Sequence, residues 1–436
     1  MRYLAAQLPL NNREIAEKPG KFYLLPFIIL FMSSMVVYKI GLGGYGQAAT
    51  VLAYEQDPSR MIFLGTTYLL ALLLFLIRLG NGIRFFSNNK LYLFLLAYVL
   101  LSAWWSGFPA KVLINWGHYV GLTLVLFPAA YYFSLQPERF FWVAALTLSI
   151  VIALSIPVSL YLPKIGIDPN SGRWQGITGN PNSLGVLCLI SIWANAACLY
   201  LNKSILMKCA SAIMALVAAI ALWKTGSMTS LAVTIFILAS MSSLISMGKG
   251  SPTLKIMKII AAIWLVLFLV GVFILLHPEI FTMKGALSTI GRSATLTGRN
   301  ELWEQGWKLS QLKPIFGWSF DSSISAIRYL YVPGTALRIG QFHSGYIDLL
   351  IRGGAIGITL FFFILVRMFL LIKRGMKSNY RLAAIYAVMI LAILLHNVTE
   401  ASIMRETDMF WLIFVYIFFS LQYQLSKNKH TPEGVP

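Results

Sequence analysis

Residues 341–357 read QFHSGYIDLLIRGGAIG, and the chain then enters ITLFFFILV. His343 stands at the mouth of an apolar segment, with Asp348 and Arg352 behind it. An imidazole has an unperturbed pKa of about 6.5, so it can take up and return a proton near neutrality. A lone histidine is more often a structural hydrogen-bonder than a base, so the neighbouring chemistry matters. Cations with polar neighbours recur in four places. TGRNELWEQGW carries Arg299, DPNSGRWQGITGNPNSLG carries Arg173 with Asn180 and Asn182, and WKTGSMTSL carries Lys224 with Ser227. HNVTEASIMRETD adds His396, Asn397, Glu400 and Arg405. Arginine stays charged and grips phosphate through paired hydrogen bonds. Arg299, Arg173 and Lys224 could hold an anionic substrate arriving from the membrane. The chain lacks a D-x-D acidic pair, an H-E-x-x-H helix, a cysteine pair and a P-loop. No metal site and no cofactor are expected.

Composition decides what surrounds these residues. The chain of 436 residues is 58% hydrophobic and 11% charged, against about 25% charged in an ordinary soluble domain. Too little polar surface remains to cover a core in water. The expected fold class is all-α, a polytopic integral membrane protein. Twelve apolar segments approach the length that crosses a bilayer: roughly 22–40, 61–78, 90–105, 112–133, 140–162, 182–201, 206–223, 229–247, 257–277, 354–373, 380–396 and 406–424. With both termini in the cytoplasm, the inner segments hold nineteen Lys and Arg and the short outer segments seven, as the positive-inside rule requires. All four polar concentrations then fall on the outer side.

The chain thus divides into 1–277 with spans one to nine, an outer loop 278–345, and 346–436 with three further spans and a cytoplasmic tail. Within the loop, Leu302, Trp303, Gly306, Trp307 and Leu309 have the spacing of an amphipathic helix. Pro314 and Gly317 end it, and its tryptophans also suit a membrane interface. Gly354 and Gly357 would let a partner helix approach closely. The net charge of +20 lies mainly between apolar segments and not in an aromatic-basic patch. It reads as a topology signal, with membrane lipids and no nucleic acid as partners. Cys188, Cys198 and Cys209 lie in or beside apolar segments and read as core thiols. The N-terminal residues lack a continuous apolar run, so no removed signal peptide is expected.

The stretch HSGYIDLLIRGGAIG has a histidine, a serine, nine residues and then G-x-x-G. This resembles the O-antigen ligase and polymerase superfamily of bacterial inner membranes. TGRNELWEQGWKLSQLKPIFGWSF looks like the block that precedes the histidine in that family, and GITGNPNSLG looks like one of its turns. The resemblance is strongest over about 165–400. It implies a C-type glycosyltransferase acting on undecaprenyl-diphosphate-linked glycan at the periplasmic face, without a required metal. By that resemblance His343 is the general base, Arg299 contacts the diphosphate and Arg173 assists it. Glu400 matches an acidic residue of the last outer turn, with Asn180 as a supporting polar group. One departure is visible: the family often has Ser-Arg before Ser or Thr in the eighth span, and here Met228 stands at the arginine position. Lys224 could supply that cation one turn earlier.

Two reactions fit. A ligase moves a finished glycan onto lipid A-core or another acceptor, as in lipopolysaccharide assembly. A polymerase joins lipid-linked repeat units. A reading of another class is a transporter or flippase for an amphipathic anion. Transporters usually place polar groups near the membrane midplane, whereas here they gather at one face.

Overall fold

The structure, a computed structural model, describes residues 27–28, 58–77, 85–87, 89–202, 204–246, 299–323, 326–327, 341–406 and 408–428. The predicted segment 257–277, and 22–40 apart from Phe27 and Ile28, lie outside the described residues. Each of the other predicted apolar segments coincides with a helix. In chain order these are α1 (Pro58–Ile77), α2 (Lys90–Leu101), α3 (Pro109–Leu135), α4 (Pro137–Tyr161), α5 (Pro181–Leu201), α6 (Ile205–Thr225) and α7 (Met228–Ser246). Then come α8 (Arg299–Leu312), α9 (Gly345–Ser378), α10 (Tyr380–His396) and α11 (Met409–Asn428).

Local chemistry sets these boundaries. Helices α3, α4 and α5 carry proline in the first turn, where its missing N–H would have no intrahelical partner anyway. Asn180 caps α5 by accepting from the backbone of Asn182 and Ser183. Gly226, at φ 55°, ends α6 in the left-handed conformation that glycine tolerates.

Burial separates inner helices from outer ones. Every residue of α11 from Met409 to Leu421 is buried, and the helix packs against α3, α9 and α10. A helix apolar on all sides belongs inside a bundle. α5 packs against α4, α6 and α7. Phe140 of α4 stacks on Tyr416 of α11 at 3.8 Å between centroids. Trp193 of α5 meets the edge of Phe141 at 5.3 Å. These rings join the two groups of helices, and each such contact adds about 0.5–1.5 kcal/mol beyond its buried area.

Among the described residues five helices, α3, α4, α5, α6 and α9, are long and apolar enough to cross a membrane. Only 22% of the most apolar window of α6 is buried, and it exposes Ile213, Leu216, Ile220 and Trp223. α9 likewise exposes Phe362, Phe363 and Leu370. Apolar faces of this extent are not left to water, so the chain is an all-helical membrane protein whose outer helices face lipid. Cys188 and Cys198 are buried as expected, but Cys209 is exposed on the outer helix α6 and is not a core thiol.

α9 is broken near its start, and this corrects the reading of its glycines. Gly354 has φ 56° and ψ −158°, outside any helical conformation. The backbone groups released there are taken up by the turn after α8. Ala355 N–H donates to Pro314 O at 2.8 Å and Ile356 N–H to Ile315 O at 3.2 Å. Trp318 N–H donates to Ile351 O at 2.7 Å and Ser319 N–H to Arg352 O at 3.1 Å. Tyr98 of α2 closes the joint by donating to Gly353 O and Phe316 O. Gly354 is therefore required by its positive φ and by the backbone of Ile315 beside it, not by a neighbouring helix. A Cβ on Gly357 would meet only ordinary contacts.

Candidate active site

His343 lies two residues ahead of α9 at φ 50°, a left-handed conformation that costs a residue with a Cβ about 1–2 kcal/mol. The flanking residues hold it there. On one side Phe342 N–H donates to Asp348 Oδ1 at 3.1 Å. On the other, Gly345 N–H is shared between Asn397 O and Glu400 O, each at 2.9 Å. A side chain on Gly345 would run into Asn397 Oδ1. The turn of His343 is thus bonded to the turn that follows α10.

Asp348 and Arg352, whose roles the sequence left open, make that junction rigid. Both are buried. Asp348 forms an ion pair with Arg405. Arg352, one turn further on, donates to Met404 O at 2.8 Å and Ile403 O at 3.0 Å. Its guanidinium also sits 5.6 Å from the centroid of Phe320. Asn397 folds the same turn from within, accepting from Ser402 and Ile403 N–H at 2.8 and 2.9 Å. A buried carboxylate is tolerable only when paired and hydrogen-bonded, and Asp348 is both.

This frame presents Glu400 to His343. Glu400 Oε2 lies 3.4 Å from His343 Nδ1, and Gln341 Nε2 lies 3.3 Å from the same nitrogen. Nδ1 has either one proton or one lone pair, so it serves one of them. The carboxylate is the stronger partner because the bond is charge-assisted. Nδ1–H then donates to Glu400 and Nε2 keeps its lone pair. Among the described residues Nε2 has no hydrogen-bond partner. The His343 side chain is 30% exposed and that of Glu400 11%, so the imidazole is reachable while its partner is largely shielded.

Glu400 leads on to the cation of another turn. Asn182 Nδ2 donates to Glu400 Oε1 at 3.3 Å, and Arg173 Nη2 donates to Asn182 Oδ1 at 2.8 Å. Arg173 Nε donates to Thr225 O at 2.5 Å. Thr229 and Thr399 are hydrogen-bonded at 2.9 Å. The start of α5, the junction of α6 and α7, the turn after α10 and the entry to α9 therefore meet at one end of the bundle.

The remaining candidates stand further out. Lys224 is exposed in the last turn of α6, and its backbone carbonyl accepts from Trp174 N–H at 3.1 Å. Met228 is exposed at the start of α7. Arg299 opens α8. Asn180 spends its side-chain oxygen on the helix cap, and its neighbour Asn182 makes the contact with Glu400 instead. The sequence held one hint of this in GNPN: a single asparagine suffices for the cap, so the second is available for other work.

Residues 190–362 match a family model described as O-antigen ligase. No curated protein matches the chain. The matched stretch includes Lys224, Arg299, His343, Asp348 and Arg352, and ends before Glu400. The segment that carries His343, from within α5 to the middle of α9, is similar to the O-antigen ligase family.

Proposed function

We propose that the chain is an inverting, metal-independent glycosyltransferase of the inner membrane. It moves a glycan from undecaprenyl diphosphate to an acceptor hydroxyl at the periplasmic face, in the manner of an O-antigen ligase. The observation that carries this reading is the chain of contacts from His343 through Glu400 and Asn182 to Arg173. It joins a base with a defined free nitrogen to a cation suited to phosphate, at an end of the bundle that also borders lipid. The acceptor oxygen bonds to the anomeric carbon as the bond from that carbon to the diphosphate breaks. The hydroxyl proton passes to His343 Nε2, and the departing charge is compensated by Arg173, Arg299 and Lys224. Attack opposite the diphosphate inverts the anomeric centre.

A second reading, polymerisation of lipid-linked repeat units, draws support from Met228, which stands where the family often has arginine. One experiment separates the readings. The purified chain is given undecaprenyl-diphosphate glycan with either lipid A-core or further repeat units, and product size and attachment are measured. Glycan on lipid A-core is expected; longer lipid-linked chains would mean a polymerase, and movement of intact donor across the bilayer without transfer would mean a flippase. His343→Ala should lower transfer roughly 10²–10⁴-fold, and full activity in that variant would overturn the assignment of the base.

A further inference from the structure

We propose that the far end of α9 and the start of α10 form a binding site for an anionic phospholipid of the surrounding bilayer. The site is separate from the cluster around His343 and does not depend on the transfer reaction. From Gly354 to Lys373, α9 runs for roughly 30 Å, about the thickness of the hydrocarbon core. The two sites therefore lie at opposite ends of the bundle. Lys373, Arg374, Lys377 and Arg381 fall within residues 373–381, and all four are exposed. Their backbone is held tightly. Asn379 N–H donates to Gly375 O at 2.8 Å, and Asn379 Oδ1 accepts from Leu382 N–H at 3.2 Å. A Cβ on Gly375 would crowd Ala383 of α10 and Leu421 of α11, at 3.2 and 3.3 Å. The four cations thus stand on a fixed corner and not on a loose loop.

Two observations point to an anion with an apolar tail. The first is charge without a counter-charge. Residues 355–399 contain no aspartate or glutamate. Among the described residues none of the four cations pairs with a carboxylate. Arg381 instead lies over the ring of Tyr200 at the end of α5, 5.4 Å from its centroid. Arg381 is also in the first turn of α10, where the positive end of the helix dipole disfavours a cation and favours a phosphate. The positive-inside rule asks only for basic residues in the connection; it does not ask for an arginine at that position.

The second observation is the surface beside these cations. Phe362, Phe363, Val366, Phe369 and Leu370 are exposed on α9. Helical spacing carries this stripe on to Lys373, Arg374 and Lys377. One helix face thus offers apolar surface to acyl chains and, at its end, cations to a phosphate. It continues the face that α9 already turns to lipid. A phosphate in free solution would meet the cations but leave the stripe unused. Basic groups where helices end at the membrane surface suit acidic headgroups.

The test uses the full chain purified in a neutral detergent, with cardiolipin as the probe. Binding is read as lipid retained in native mass spectrometry and as a rise in thermal midpoint. Cardiolipin should bind and raise the midpoint, whereas phosphatidylcholine and inorganic pyrophosphate at equal concentration should do neither. Combining Lys373→Gln, Lys377→Gln and Arg381→Gln should weaken binding roughly a hundredfold, about fivefold for each cation near a headgroup. Lys373→Arg with Lys377→Arg keeps the charge and should bind within about twofold of the parent. Arg139→Gln removes an exposed cation from the first turn of α4 at the same end and should also stay within about twofold, since distant exposed charges are screened. The inference is overturned if the triple glutamine variant binds cardiolipin like the parent, or if Arg139→Gln weakens binding as much as the triple variant. It is equally overturned if phosphatidylcholine or pyrophosphate matches cardiolipin.

Discussion

At the scale of single residues, the proposed chemistry rests on which nitrogen of His343 is available. Glu400 Oε2 lies 3.4 Å from Nδ1, and the reading assigns the proton to Nδ1 and the lone pair to Nε2. Glu400→Gln keeps the size of the side chain but removes the charge that fixes this arrangement. Transfer should fall roughly 10²–10⁴-fold, as when an oriented imidazole loses its carboxylate. Affinity for undecaprenyl diphosphate should remain near the parent value, and steady-state kinetics beside a binding assay would check this. His343, Arg173 and Glu400 were legible in the sequence because ionisable types are rare in an apolar chain and stand out in its turns. Asn182 was visible only as part of a polar turn. An amide is common in turns, and its second partner lies 218 residues away. Asp348 and Arg352 were legible as charges but not as roles, because both act on the distant turn 403–405.

At the scale of elements, the break in α9 does the positioning. The short stretch before Gly354 carries Asp348 and Arg352 toward the turn after α10, while the longer stretch beyond it runs along lipid. Gly354→Ala should destabilise the protein by about 1–3 kcal/mol through its positive φ, and more if Ile315 cannot yield. Asp348→Ala removes the partner of Arg405 and of Phe342 N–H, and breaking a buried pair costs about 3 kcal/mol or more. Both should appear as lower thermal midpoints in detergent. Asp348→Ala should also lower transfer, since it releases the turn of His343. The glycine pair was read from the sequence as a helix contact because G-x-x-G has that use in membranes. Nothing local announces that the backbone after α8 will supply the missing hydrogen bonds.

At the scale of the whole molecule, the reading requires the site to open outward. Asn170, exposed between α4 and α5, and Ser204, exposed between α5 and α6, lie at opposite ends of α5. With the native cysteines removed, Asn170→Cys should react with a membrane-impermeant maleimide in intact spheroplasts. Ser204→Cys should react only after lysis, and the reverse pattern would invert the proposed orientation. Sequence alone determined the solvent and the elements. The excess of apolar residues leaves no choice but lipid, and segment length near that of a bilayer gives helices, because each helix satisfies its own backbone. It also gathered the polar turns on one side, since alternate crossings return the chain to the same face. Tertiary structure alone decided which turns touch. Helices can be arranged around one another in many ways with nearly equal apolar burial, whereas the bonds among His343, Glu400, Asn182 and Arg173 exist only when α5, α9 and α10 start and end side by side.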